Sequence, residues 1–340
     1  MFCITQTVEN NQVKVTSTAK LQGIPFTYAF YVYKDGERIE KKMYTSDNQF
    51  SINTEGFYGN LQFQCFFKNM KTAEVTVVNA DTISFPRKKI TLSDLDLSVD
   101  LNADIQTKCG DIPVNFIKKD SRKLVVFLNA ALALDAQKKH YPYFNRISYH
   151  KDLDCNCLYL YDISLNMADN YTIGWYRGTT ENKLNDTYVE IINKVIADLG
   201  IKNKDVVLYG SSAGGFAAMK FAEKINGVTA VAINPQVEIS KFIDKNAVAK
   251  FENIFDVNSY KDDTIINPKN LGKSKVIYVQ NTQDTDHYEN HFKPFWSKIS
   301  RKLSGYDQKY HNYALIYDHE SGHGGETPEV FDEIKKLAFM

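Results

Sequence analysis

Chemistry in this chain concentrates first at Gly210-Ser211-Ser212-Ala213-Gly214-Gly215. An apolar run, Val206-Val207-Leu208-Tyr209, precedes these residues and is long enough for one buried strand. Residues 216–222, rich in Ala, Met, Lys and Phe, follow and read as a helix. G-x-S-x-G between a strand and a helix is the nucleophile-elbow pattern, and the residue types have physical reasons. A serine on so sharp a turn projects its Oγ away from the backbone. Gly210 and Gly214 lack Cβ atoms, so the helix start can approach the strand. Backbone N–H groups there point at the reaction centre, where the helix dipole favours a developing negative charge. A phosphate-cradling loop is the competing reading. No Lys-Ser/Thr pair follows the glycines, however, and the spacing G-x-G-x-x-G is absent.

A serine hydroxyl needs a base to remove its proton, and the base needs a group to orient it. With the nucleophile on such a turn, the partners follow in the order acid, then histidine. The strand-like run Val276-Ile277-Tyr278-Val279-Gln280 leads into Asn281-Thr282-Gln283-Asp284-Thr285-Asp286. An acid just beyond the C-terminal end of a parallel strand is well placed to reach that edge of the sheet. Asp284 is preferred to Asp286 on its distance from the strand end. Later, Ala314-Leu315-Ile316-Tyr317 leads into Asp318-His319-Glu320-Ser321-Gly322-His323-Gly324-Gly325. Glycines on either side of His323 permit a loop that turns the imidazole inward, whereas His319 lies very close to the strand. The predicted triad is Ser212, His323 and Asp284. The N–H of Ala213 and that of Ala130, in the loop Asn129-Ala130-Ala131, are the predicted oxyanion donors. His287 and His291, four apart with Asp284 nearby, raise the question of a metal. The run His-Tyr-Glu-Asn-His lacks the Glu directly after the first His that a metalloprotease helix requires, so both read as surface or pocket-lining residues and no metal is expected.

The elements that must position these groups fall into two blocks. Residues 1–88 read as all-β: Phe26, Tyr28, Phe30 and Val32 alternate with smaller or polar residues, and Asp35-Gly36 is a hairpin signal. An immunoglobulin-like β-sandwich, acting as an accessory or binding domain, is the expectation. Proline and charge in Pro86-Arg87-Lys88-Lys89 end the run, and residues 89–110, alternately acidic and apolar, are read as a linker. Residues 111–340 alternate strands (112–117, 124–128, 157–163, 206–209, 228–233, 276–280, 314–317) with helices (186–199, 216–222, 328–337). That pattern predicts an α/β domain with a mostly parallel sheet flanked by helices. Residues 234–274 are an excursion able to cap the site.

Composition narrows the function classes. Lys and Arg number 41, as do Asp and Glu, so the net charge is zero, and neither nucleic acid nor an anionic membrane surface is an expected partner. The start, Met1-Phe2-Cys3-Ile4-Thr5-Gln6, turns polar at once, and no apolar run approaches the ~20 residues of a membrane helix. Five cysteines without regular spacing suit free thiols, and a soluble cytoplasmic protein is expected. Tyr and Phe number 21 each, enough for a core and for platforms under a sugar or another flat ligand.

With these residues in place, residues 111–340 resemble the α/β-hydrolase superfamily of serine esterases and acyltransferases. More narrowly, they resemble a bacterial branch associated with surface-glycan assembly, which includes capsule O-acetyltransferases and hydrolase-like components of accessory secretion systems. The carriers are Asp162 with Gly174-Trp175-Tyr176-Arg177-Gly178, the elbow Tyr209–Phe216, Asn234-Pro235-Gln236, Gln280-Asn281-x-x-Asp284 and Gly322-His323. The resemblance implies Ser212, Asp284 and His323 as the triad, and O-acetyl transfer to, or ester hydrolysis from, a surface glycan. No cofactor is expected beyond acetyl-CoA as an acyl-donor substrate, and Gly174–Gly178 reads either as a loop that lines the pocket with Trp175 or Tyr176 or as a structural aromatic turn. Many such esterases carry His-Gly-Gly where this chain has Asn129-Ala130-Ala131, so the second oxyanion donor departs from the pattern. Hydrolysis and transfer both remain open, and the oligomeric state is not indicated. The alternative is a non-catalytic hydrolase-fold scaffold in a glycan-assembly or secretion complex, with a β domain that binds glycan or protein.

Overall fold

Alternation of apolar and polar residues builds the first of two compact units, Met1–Lys88. The computed structural model describes residues 2–21, 23–139, 141–256, 261–299, 305–307 and 312–339. One antiparallel sheet has the order β1 (Phe2–Glu9), β2 (Gln12–Ala19), β5 (Gln49–Asn53). The other has the order β4 (Glu37–Thr45), β3 (Phe26–Lys34), β6 (Gly59–Asn69), β7 (Val75–Asn79), with β8 (Ile83–Phe85) also on β6. Val13 and Val15 of the first sheet share one core with Phe30, Val32, Leu61 and Phe63 of the second, so the two form a β-sandwich. Asp35 and Gly36, both at positive φ (49° and 86°), make the β3–β4 hairpin turn.

The second unit, Lys89–Met340, is organised on one ten-stranded sheet. Its parallel centre consists of β12 (Leu124–Leu128), β13 (Asn156–Leu160), β14 (Val206–Ser211), β15 (Thr229–Ile233), β16 (Lys275–Asn281) and β18 (Asn312–Tyr317). β12, β13 and β15 are buried at every position, as strands covered on both faces must be. At the two ends lie β9 (Lys88–Ile90), β10 (Leu101–Thr107) and β11 (Gly110–Ile117) on one side and β17 (Gly305–Asp307) on the other. The helices are α1 (Leu134–Lys139), α2 (Leu184–Asp198), α3 (Ala213–Ala222), α4 (Lys245–Ile254), α5 (Thr285–His287), α6 (Lys293–Trp296) and α7 (Pro328–Phe339). α2 buries Tyr188, Ile191, Ile192, Val195 and Ile196, the stripe that its helical spacing dictates.

The sheet order places β12 between β13 and β14. The chain therefore leaves β12 for one side, then returns across it to the other. Loops at this reversal diverge and open a crevice at the C-terminal ends of β12 and β14. The loops after β14, β16 and β18 carry Ser212, Asp284 and His323 to that edge.

Two expectations need correction. Residues 89–110 are not a linker, because β9 and β10 belong to the sheet and β10 forms an antiparallel hairpin with β11. Its polar residues alternate with the buried Ala103 and Ile105, the pattern of a strand covered on one face. The excursion 234–274 also behaves differently. Among the described residues, none of its members lines the cleft beside Ser212. Phe242 and Phe251 pack instead against Trp175 behind it. Among the described residues, no helix is long and apolar enough to cross a membrane.

Candidate active site

Ser212 stands between the last residue of β14 and the first of α3, at φ 52° and ψ −119°. A non-glycine residue held there stores about 1–3 kcal/mol of backbone strain. The surroundings impose it. Ser212 N–H donates to Ile233 C=O at 2.9 Å, and Phe216 N–H donates to Ser212 C=O at 3.0 Å. Strand and helix approach so closely that a Cβ on Gly210 would lie 2.3 Å from the Gly214 backbone. One on Gly214 would lie 2.6 Å from Leu128 C=O.

His323 Nε2 lies 3.0 Å from Ser212 Oγ, and His323 Nδ1 lies 2.6 Å from Asp284 Oδ2. The structure thus brings together the three residues that the sequence singled out. Asp284 is buried at the N-terminus of α5, and its other oxygen, Oδ1, is 3.0 Å from His287 Nδ1. Burial alone would raise the Asp284 carboxyl, but hydrogen bonds from His287 and His323 outweigh it and hold the group well below the usual carboxylate range. The carboxylate therefore stays ionised beside the imidazole that must become positive.

A further layer lies behind the serine. The buried Gln236 places its amide nitrogen 2.9 Å from Ser212 Oγ and 2.7 Å from His287 Nε2. Trp175 Nε1–H donates to Gln236 Oε1 at 3.0 Å. His287 stacks on His323 with ring centres 4.0 Å apart. His291 is not at the serine: its Nδ1 accepts from Val237 N–H at 3.2 Å, and burial, with the nearby His287, pushes it down to about 3.

Long-range clamps hold the His323 loop. Asn281 Nδ2 donates to His319 C=O and Gly322 C=O, each at 2.8 Å, and Asn234 Nδ2 donates to Gly324 C=O at 3.1 Å. Beyond them Glu326 accepts from Arg146 Nε at 2.8 Å and from Tyr209 Oη at 2.6 Å. Burial would raise the Glu326 carboxyl; the Arg146 guanidinium beside it holds it below its ordinary value. Arg146 and Glu326 also line a cleft of about 380 Å³ with Ala130, Ala131, Asn145, Ser212 and His323. That volume falls within the range of small-molecule sites.

Other predicted residues stand elsewhere. Of the two readings of Gly174–Gly178, the pocket-lining one needs correction: Trp175 and Tyr176 are both fully buried at positive φ (49° and 59°), as in a structural aromatic turn. The buried Asp162 carboxylate, accepting from Tyr176 N–H at 2.9 Å, fixes their loop. Tyr176 Oη donates to Leu160 C=O and accepts from Asn129 N–H, so this ring supports the loop after β12 from behind. Ala130 does line the cleft, but its N–H, predicted to hold an oxyanion, donates to Asn145 Oδ1 at 3.0 Å. His319 pairs locally with Ser321 Oγ at 2.8 Å, and Asp286 accepts from Asn290 at 2.8 Å. Asp284, His287 and His323 offer ligand atoms within 4.8 Å of one another, which gives them metal-ligand spacing. Each carboxylate oxygen already faces one imidazole nitrogen, which accounts for the cluster by hydrogen bonding. The sequence singles out Gln236 only within Asn234-Pro235-Gln236, without a role, and gives no signal for Asn145 or the Arg146–Glu326 pair. His287 had one local signal, its position three residues after Asp284 at a helix start.

Serine, acid and histidine in that chain order, at one edge of a parallel sheet, define an α/β-hydrolase-like fold. No family model matches the sequence, and no curated protein matches it. Solved structures do match. The capsule O-acetyltransferase of Neisseria meningitidis serogroup A is 16% identical, with a TM-score of 0.50 over 72% of this chain and 97% of its own. Acetyl xylan esterase 1 from a Thermoanaerobacterium species is 12% identical, covering 72% of this chain and 89% of its own at a TM-score of 0.46. A glycosylation-associated protein complex from Streptococcus agalactiae is 11% identical, covering 98% of this chain and 71% of its own at 0.45. The likeness is one of fold.

Gly214→Ala should destabilise the protein by about 1–3 kcal/mol or more, read from the urea midpoint, because the added methyl meets backbone that cannot yield. Arg146→Met should cost about 3–5 kcal/mol by stranding a buried carboxylate. The folded Glu326 carboxyl titrates below its ordinary value of 4.5. Its contribution is therefore full above that pH and lost as the pH falls through the folded pKa. Urea midpoints of Glu326→Gln should accordingly fall less steeply than wild type below about pH 4.5.

Proposed function

We propose that this chain is a serine-dependent acyl-ester enzyme working through an acyl-enzyme, with Ser212 as nucleophile, His323 as base and acid, and Asp284 orienting the imidazole. The observation that carries this reading is the unbroken hydrogen-bond line from Ser212 Oγ through His323 to Asp284, at a turn that holds the serine strained. His323 Nε2 takes the Ser212 proton as Oγ bonds to an ester or thioester carbonyl carbon, and the carbonyl electron pair moves to oxygen. The imidazolium then gives its proton to the departing alcohol or thiol, leaving the acyl group on Ser212. In the second half an incoming hydroxyl surrenders its proton to His323 and attacks the acyl carbon, and Oγ leaves with that proton. Water as acceptor makes an esterase; a sugar hydroxyl makes an O-acyltransferase.

Ala213 N–H is one oxyanion donor in this proposal. It lies in the first turn of α3, where an N–H has no intrahelical acceptor and the helix dipole favours negative charge. Because Ala130 N–H is committed to Asn145 Oδ1, we assign the second role to the Asn145 amide, whose NH₂ is the end left to offer. The cleft of about 380 Å³ suits an acyl group with its immediate attachment. The His323 side chain, 40% exposed, leaves the base open to an acceptor from solvent. An acetyl group from acetyl-CoA and a bacterial surface glycan as acceptor are the substrates we assign, in line with the fold shared with a capsule O-acetyltransferase. The first unit is, in this reading, an immunoglobulin-like accessory module. A cytoplasmic location goes with the free cysteines.

A fluorophosphonate probe should label wild type at Ser212 and leave Ser212→Ala unlabelled. Asn145→Ala should slow ester turnover about 10²- to 10³-fold while folding normally, the loss expected for one oxyanion donor. Incubation with acetyl-CoA should add the mass of one acetyl group at Ser212, and a saccharide should discharge it. A folded wild type that takes up neither probe nor acetyl would leave the non-catalytic scaffold as the reading.

A further inference from the structure

The buried layer behind Ser212 has a hydrogen-bond direction that one group fixes. An indole N–H can only donate, so Trp175 Nε1–H at 3.0 Å identifies the Gln236 atom it meets as the carbonyl oxygen. The amide NH₂ must then face Ser212 Oγ at 2.9 Å and His287 Nε2 at 2.7 Å, spending one proton on each. His287 Nε2 therefore presents its lone pair, and its proton sits on Nδ1, 3.0 Å from Asp284 Oδ1. The ionised Asp284 accepts at Oδ2 from His323 Nδ1–H at 2.6 Å, which leaves His323 Nε2 as the acceptor facing Ser212 Oγ at 3.0 Å. The serine oxygen, already receiving an N–H from Gln236, sends its own proton to His323. Ser212, His323, Asp284, His287 and Gln236 close a ring whose protons follow from that tryptophan together with an ionised Asp284.

We propose that Gln236 is a catalytic residue, an N–H donor to Ser212 Oγ opposite the general base, and that His287 and Trp175 are positioning residues that hold its amide in that orientation. This rests on the acyl-enzyme reading above and deepens it. Charge builds on Oγ twice in each turnover, once when the serine loses its proton to attack and once when Oγ leaves the acyl group. At both moments a fixed donor on the buried side stabilises it without reorganisation. The amide also occupies the second hydrogen-bonding direction of the serine oxygen, so the hydroxyl proton has one partner rather than a choice. Gln236 and His287 are both buried, so water does not compete for these contacts.

The test uses the full chain and two readouts. The first is the second-order rate of fluorophosphonate labelling of Ser212. Gln236→Met, which fills the space without donating, should slow it about 10- to 100-fold, and Gln236→Glu, which presents an acceptor to Oγ, at least as much. Trp175→Phe should slow wild type yet add nothing in the Gln236→Met background, because its effect passes through the amide. Unfolding temperatures of each variant check the fold, and Gln236→Glu serves if Gln236→Met does not fold. The second readout is long-range ¹H–¹⁵N NMR of labelled histidines. His287 should show the Nδ1–H tautomer in wild type and acquire an Nε2 proton in Gln236→Glu. Labelling of Gln236→Met within about twofold of wild type, additive loss from Trp175→Phe, or an Nε2–H tautomer of His287 in wild type would each overturn the proposal. Absence of labelling in wild type would sink the acyl-enzyme reading instead, and the tautomer still decides the ring.

Discussion

The close approach of β14 to α3 is the constraint on which the site depends. Two glycines remove the Cβ atoms that would keep the two backbones apart, and the residue caught between them is driven to positive φ. From that one steric fact follow the outward Oγ, the helix N-terminus beneath it, and the need for every other group to come to the serine. Asp284 and His323 do so from loops at the ends of β16 and β18, 72 and 111 residues further along.

Such loops are held in place by buried polar contacts rather than by apolar packing. Asn281 and Asn234 satisfy carbonyl groups on both sides of His323. Glu326, ionised and almost wholly enclosed, is tied to a guanidinium and a phenol from two other elements. A buried ion pair is a poor source of net stability, because desolvation opposes the attraction between its charges. Its directional bonds nevertheless restrict the loop to a narrow set of positions. Placing His323 within hydrogen-bond distance of Ser212 requires that restriction.

Much of the fold was legible because the signals were local. Val125, Val126 and Phe127 leave no polar residue inside their strand, as burial on both faces requires, and Gly-x-Ser-x-Gly has few other uses between a strand and a helix. Residues 101–107 were obscured by the polar Asn102, Asp104 and Gln106 on the face of β10 that is not buried, which resemble the polarity of a linker. Trp175 and Tyr176 fit a pocket and a structural turn equally well in the sequence, because an aromatic ring between glycines has the same local signature in a core as in a pocket. Only their contacts with Gln236 and Leu160 distinguish the two. Ala130 sits on the expected loop, yet the Asn145 side chain, 15 residues away, takes its N–H.

By itself, the amino-acid sequence determined the order of the elements, the glycines of the turn, and the residue types that stand at the ends of β14, β16 and β18. These depend on periodicity and on backbone sterics within a few residues. Tertiary structure alone decided which N–H groups are already taken, which oxygen of Asp284 meets which imidazole, and which way the Gln236 amide faces. The reason is that a hydrogen bond is directional and acts over about 3 Å, so its partners are set by packing between segments distant in the chain.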